Sequence, residues 1–158
     1  MRKMTLLLTL TIAGCATDPY GNFVPSVNFD QQKLLTRELA GDAVKQLAVL
    51  YPPAKTRLEM KQITSDAFGI TLVNTLREHG YALKEFNTEE VKSQTFKSQT
   101  FNAQASTSPA LPLRYILDQA DDSNLVFITL FVEDQSITRP YRIQNDSLTP
   151  AGNWVRKE

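Results

Sequence analysis

Few side chains in this sequence could carry chemistry, and they do not cluster. Cys15 is the sole cysteine and His79 the sole histidine. One cysteine allows no intramolecular disulfide. One cysteine and one histidine give zinc too few of its usual ligands. His79 precedes Gly80 at the expected end of a helix, a place the helix dipole favours for histidine and where the residue is commonly structural. Asp121-Asp122 resembles a fragment of a calcium loop, but no further acids follow at the required spacing, so it reads as a turn. No phosphate-cradling glycine loop and no strand-turn-helix nucleophile motif occurs, and no serine has a recognisable base partner. The expectation is a protein without catalytic residues, resident metal or cofactor.

Cys15 has a different meaning, set by the residues before it. Residues 1–15 read MRKMTLLLTLTIAGC: Arg2 and Lys3, then an apolar stretch of about ten residues. That stretch is too short for a hydrocarbon core, which takes about 20 helical residues, and it matches the apolar region of a signal peptide. The ending Ile12-Ala13-Gly14-Cys15 resembles the lipobox of bacterial lipoproteins. The resemblance implies a diacylglycerol thioether on Cys15, removal of residues 1–14, and a further acyl chain (palmitate or similar) on the freed amine. One acyl chain binds a membrane marginally, whereas two or three hold it stably. Ala16 follows the cysteine, and Asp18 stands two residues too late for an inner-membrane retention signal. The expected location is the periplasmic face of the outer membrane.

Composition sets the frame for the rest. With 158 residues, 42% apolar and 22% charged, the chain has room for one globular domain and is not broadly disordered. Its 17 basic and 17 acidic residues balance, which gives no electrostatic case for nucleic-acid binding. Loss of Arg2 and Lys3 would leave 15 basic residues against 17 acidic ones.

Residues 15–29 have two prolines, a glycine and no regular period, and read as an extended, lipid-anchored tether. Its last 14 residues could reach roughly 45–50 Å. Tyr20, Phe23, Val24 and Val27 are more apolar than a passive linker needs, so the tether is either a spacer or a binding strand. A single domain over 30–158 is expected to follow.

That domain opens with a helix over about 30–50, capped by Asn28 or Asp30, with Leu35, Leu39, Ala43, Leu47 and Leu50 on one face. Tyr51-Pro52-Pro53 ends it. Strict alternation from Lys55 to Lys61 predicts a strand with Thr56, Leu58 and Met60 inward. Ser65 is placed to cap a second helix carrying Phe68, Leu72 and Leu76, which stops at His79-Gly80; Tyr81 to Phe86 makes a short strand. Residues 87–111 are polar and contain KSQTF twice, at 92–101, as in a tandem duplication within a tolerant loop. A meander follows. Leu113, Tyr115 and Leu117 point inward, and the run Leu125 to Val132, apolar on both faces, should be a central strand. Glu133-Asp134-Gln135 turns into Ser136–Ile143, where Pro140 argues for an edge or a bulge. After Asn145-Asp146-Ser147, Leu148 to Arg156 forms a last strand. The fold class is α+β: two amphipathic helices on one face of a mainly antiparallel sheet, in the order α-β-α-β-β-β with a further β.

Trp154 and Arg156, near the C-terminus, pair residue types that are enriched at interface hot spots. The other reading places Trp154 over the core with Arg156 in solvent.

Taken together, several stretches resemble the TrbH family of conjugal-transfer lipoproteins. They are Asp18-Pro19-Tyr20-Gly21-Asn22 after the lipid-anchored start, Tyr51-Pro52-Pro53-Ala54-Lys55-Thr56, Asp66-Ala67-Phe68-Gly69 running to Arg77 and Gly80-Tyr81-Ala82, and Pro150-Ala151-Gly152-Asn153-Trp154-Val155-Arg156-Lys157-Glu158. The KSQTF duplication lies outside them. The resemblance implies a mating-pair-formation component of a plasmid type IV secretion system, supporting the outer-membrane ring of the channel. Its implied partners are ring subunits and, through the acyl anchor, the bilayer; it brings no catalytic residue and no small-molecule substrate. The alternative is an auxiliary lipoprotein of another envelope transport or assembly machine.

Overall fold

A computed structural model describes residues 33–87, 109–120, 123–145 and 147–158. The signal segment, Cys15, the tether, the start of the first helix with its cap, Asp121-Asp122 and the KSQTF repeat lie outside the described residues.

Helix α1, Lys33–Leu50, buries Leu35, Leu39, Ala43 and Leu47, residues four apart that fall on one stripe. Leu50 is half-buried against the same core. A 3-10 turn at Pro53–Lys55 follows, because two prolines cannot continue the helix ladder. Lys55 therefore belongs to the turn, and strand β1 is Arg57–Met60, with Leu58 and Met60 buried. Helix α2 spans Ala67–Glu78, and its cap is Asp66, not Ser65. Asp66 is in extended conformation and accepts the Gly69 N–H at 2.8 Å, which fills one of the orphan donors of the first turn. The far end closes as a Schellman motif. Tyr81 N–H reaches the Leu76 carbonyl, Gly80 N–H reaches that of Arg77, and Gly80 takes φ +86°.

Strands β2 (Ala82–Lys84), β3 (Leu111–Gln119), β4 (Leu125–Val132), β5 (Gln135–Gln144), β6 (Ser147–Pro150) and β7 (Val155–Lys157) complete one sheet. Its order is β2-β1-β3-β4-β5-β6, with β7 also paired to β5. The meander β3-β4-β5 is antiparallel and β4 is central, as its two-sided apolar pattern requires. β1 is parallel to both β2 and β3, so β1-α2-β2 is a crossover unit added to an antiparallel sheet.

Pro140 marks neither an outer edge nor an observed bulge. β5 is an inner strand whose far side is shared by β6, at Tyr141–Gln144, and β7, at Ser136–Thr138. Pro140 falls between these two pairings. Its carbonyl accepts the Ala151 N–H on that side, so the missing N–H costs no ladder bond to β4. The expected last strand is split for the same reason: Ala151 to Trp154 forms the link that passes Pro140 between β6 and β7.

Both helices contribute to one core on one face of the sheet, where Phe68, Leu72 and Leu76 join Leu58, Met60, Tyr115, Ile128 and Leu130. The fold class is the expected α+β arrangement.

Candidate functional site

Among the described residues, no three side chains of histidine, cysteine, aspartate or glutamate approach one another as metal ligands would. No described helix is long and apolar enough to cross a membrane. His79 caps the end of α2, with Nδ1 2.9 Å from the Thr75 carbonyl. The polar groups that do converge make two buried ties and one open surface.

The first tie joins α2 to the sheet. Asp66 accepts the Gly69 N–H with one carboxylate oxygen and the Tyr115 hydroxyl with the other. Burial, and then that hydrogen bond, raise the Tyr115 phenol far above its usual pKa, so it stays a donor. Beside it, the buried Gln62 side chain pairs with the Tyr115 backbone, accepting its N–H at 2.9 Å and donating to its carbonyl at 3.3 Å. An amide side chain thus continues the ladder of β1 after the chain has left the sheet.

The second tie joins α1 to the C-terminal strands. Asp42 accepts from Arg139 at 2.7 Å and from the Tyr141 hydroxyl. Arg139 Nε also donates to the Gly152 carbonyl at 2.9 Å, and its guanidinium lies 5.5 Å from the Tyr141 ring centre and 6.0 Å from that of Trp154. The side chain of Arg139 is only 18% exposed, so removing its carboxylate would strand a largely desolvated cation. Burial and the Asp42 hydrogen bond raise the Tyr141 pKa as well.

These contacts place the two C-terminal residues singled out by sequence. Trp154 is half-buried and packs against the core beside Arg139. Arg156 is exposed on β7 and pairs with Glu158 at 3.1 Å. Near it, Tyr51 donates to Gln135 at 2.6 Å and Tyr81 donates to the Tyr51 carbonyl at 2.7 Å. Tyr20, Phe23, Val24 and Val27 lie outside the described residues, as do Ile12, Ala13, Gly14 and Cys15. Asp42, Arg139 and Tyr141 were not singled out by sequence. Asp42 and Arg139 are 97 residues apart, and the only hint was a charged residue at an inward position of an amphipathic strand.

The open surface is the sheet face opposite the helices, on which no described helix packs. Cross-strand partners share a face, so register maps it directly. One row runs Arg114, Phe131, Ser136, Lys157, and the next runs Ile116, Thr129, Thr138, Val155. A third runs Asp118, Phe127, Pro140, and a fourth pairs Leu125 with Arg142. Ile116 is 40% exposed and Val155 64%, while Phe127 and Phe131 are half-buried. Arg114 sits 5.4 Å from the Phe131 ring centre, and the Thr129 and Thr138 hydroxyls bond each other at 2.9 Å. Farther along, Glu59 pairs with Lys61 at 2.7 Å and Lys84 at 3.6 Å; the hydrogen bond from Lys61 keeps its carboxyl below the usual range.

Two helices over one face of a seven-stranded sheet, each tied to it by a part-buried tyrosine–carboxylate pair, define a small α+β domain. The family model described as conjugal transfer protein TrbH matches residues 17–158. The chain belongs to the TrbH family of conjugal transfer proteins. No curated protein and no solved structure matches the chain.

Proposed function

We propose that the protein is a non-enzymatic lipoprotein of a conjugative type IV secretion system, held at the periplasmic face of the outer membrane by lipid on Cys15. The observation that carries this reading is the family match over residues 17–158, preceded by the export segment and Ile12-Ala13-Gly14-Cys15. In this reading the acyl chains confine the domain to the membrane surface, and the tether at 15–29 reaches a subunit of the channel's outer-membrane ring. Tyr20, Phe23, Val24 and Val27 would supply alternate side chains to an extended docking strand. Surface confinement raises the effective concentration near the ring, so modest intrinsic affinity suffices.

The test has two arms. A palmitate analogue should label the wild type, and Cys15→Ser should abolish both labelling and recovery with outer membranes; an unlabelled wild type rules out the anchor. Deleting 19–27 while keeping Cys15, Ala16 and Thr17 should leave labelling intact and lower plasmid transfer and recovery with ring subunits. Unchanged transfer and recovery at wild-type protein levels would rule out docking by the tether.

A further inference from the structure

A sheet with one wet face normally alternates apolar and polar residues along every strand. The strand β3 obeys this at its charged positions, with Arg114 and Asp118 outward. The central strand does not: β4 turns Leu125, Phe127 and Phe131 to the face where, among the described residues, no helix packs. Exposed Ile116 and Val155 extend the same apolar area across neighbouring strands. At strand spacings near 4.8 Å, four strands and the length of β4 give a face of roughly 400–500 Å². That footprint includes the polar and charged positions, so the apolar part is smaller.

The charge on this face differs from that of the whole chain. Lysine plus arginine equals aspartate plus glutamate overall, at 17 each. Here Arg114, Arg142 and Lys157 surround the apolar centre, and the described strand carboxylates on this face are Asp118, near the end of β3, and Glu59, which Lys61 and Lys84 engage. Arg114, Arg142 and Lys157 are exposed, and none has an ion-pair partner among the described residues. Three cations with no ion-pair partner among the described residues, set around aromatic and aliphatic side chains, fit an occupant that is apolar and acidic. A second copy meeting this face about a twofold axis would set like charges against each other, which costs binding energy. A bilayer would have to accept the carboxylate of Asp118 at the border of the contact, which hydrocarbon does not.

We infer that this open sheet face is the docking surface for an apolar, acidic segment of another protein of the transfer apparatus. The inference rests on the reading of the protein as a component of that apparatus. The area is about half of the ~800 Å² that each partner contributes to a standard interface. The contact is therefore weak alone and depends on confinement of both partners at one membrane. Basic residues at its rim make it salt-sensitive.

The experiment uses the full chain in donor cells, with a photo-reactive benzoylphenylalanine replacing Ile116 or Val155, and replacing Val49 on the helix side as a control. The expected result is an adduct from the two sheet positions, and not from Val49, to a transfer protein at a peptide rich in carboxylates. Combining Arg114→Glu, Arg142→Glu and Lys157→Glu should lower adduct yield at least tenfold without changing the protein's thermal midpoint. Replacing the carboxylates of the captured peptide with lysine should restore it. Adducts only within the chain (the face covered by residues 88–108), only between two copies, or only with lipid would overturn the inference. So would an adduct yield indifferent to the three charge reversals, or no adduct in cells whose plasmid transfer depends on the gene. That last outcome refutes the docking face while leaving the transfer role standing. Transfer unaffected by gene deletion would instead refute the transfer role.

Discussion

Gly69 tests whether the Asp66–Tyr115 tie governs the packing of α2. Replacing glycine by alanine inside a helix ordinarily stabilises it by about 1 kcal/mol. At Gly69 a Cβ would overlap the Tyr115 hydroxyl and lie 2.9 Å from Asp66 Oδ2 and 3.1 Å from the Thr64 Cα. The Thr64 contact is backbone and cannot rotate away, and Tyr115 is fully buried. Overpacking costs about 1–3 kcal/mol, and displacing the tyrosine forfeits a hydrogen bond to a carboxylate, about 1.5–3 kcal/mol. The losses exceed the helix-propensity gain, so Gly69→Ala should destabilise the protein by about 2–4 kcal/mol. Urea unfolding followed by far-UV circular dichroism measures this. Tyr115→Phe removes the obstructing oxygen, so the double variant should be more stable than the sum of the single losses predicts, by about 1 kcal/mol or more. A Gly69→Ala protein as stable as wild type, or additive losses in the cycle, would refute this account of the site.

The clasp at Asp42 gives a second expectation: Asp42→Ala strands Arg139 and the Tyr141 hydroxyl together and should cost about 2–3 kcal/mol, below the ~3–5 kcal/mol of a fully buried broken pair because Asp42 is partly exposed. The thermal midpoint should fall by roughly 5–10 °C; a fall under about 2 °C would show that the clasp contributes little. A third expectation concerns alkaline pH. Burial pushes the Tyr81 phenol up to about 12, from 10 in the unfolded chain, and raises Tyr115 and Tyr141 as well. The folded state then holds protons that the unfolded state releases, so stability is full below pH 10 and falls as pH rises through the folded pKa. Tyr81 alone should cost about 1.4 kcal/mol at pH 11; a urea midpoint unchanged between pH 9 and 11, or phenols that titrate near pH 10 in the folded protein, would contradict it.

Local periodicity made much of this fold legible, and long-range pairing hid the rest. Leu35, Leu39, Ala43 and Leu47 repeat at the spacing of one helix face, and Leu113, Tyr115 and Leu117 at that of one strand face, so their burial followed from the sequence. Gly80 was legible because one residue type fits φ +86° so well. The cap was not: Ser65 and Asp66 are both competent, and the choice is made by Tyr115, 49 residues away, which engages Asp66. The parallel placement of β1 between β2 and β3 left no trace in the alternation, since a half-buried strand shows the same period whichever way its neighbours run. Pro140 misled for a similar reason. Proline forbids one ladder bond on one side, and only the tertiary path of residues 151–154 shows that this side had none to lose.

The run Leu125–Val132 carries the argument from fold to function. Its alternate residues Val126, Ile128, Leu130 and Val132 are fully accounted for by the core beneath the helices. Leu125, Phe127 and Phe131 are not, because nothing in that core requires them and a solvated face would be served by threonine, as at Thr129. Aromatic side chains on a wet sheet also raise the risk of misassembly, which sheet proteins restrain with charge. Arg114 beside Phe131 and Arg142 opposite Leu125 provide that charge, all of one sign and none of it neutralised by a described neighbour. A charge fence meant only for solubility could be of either sign or mixed. A fence that is basic apart from Asp118 also selects its visitor, so the same residues that disfavour pairing of the face with its own copy admit an acidic partner.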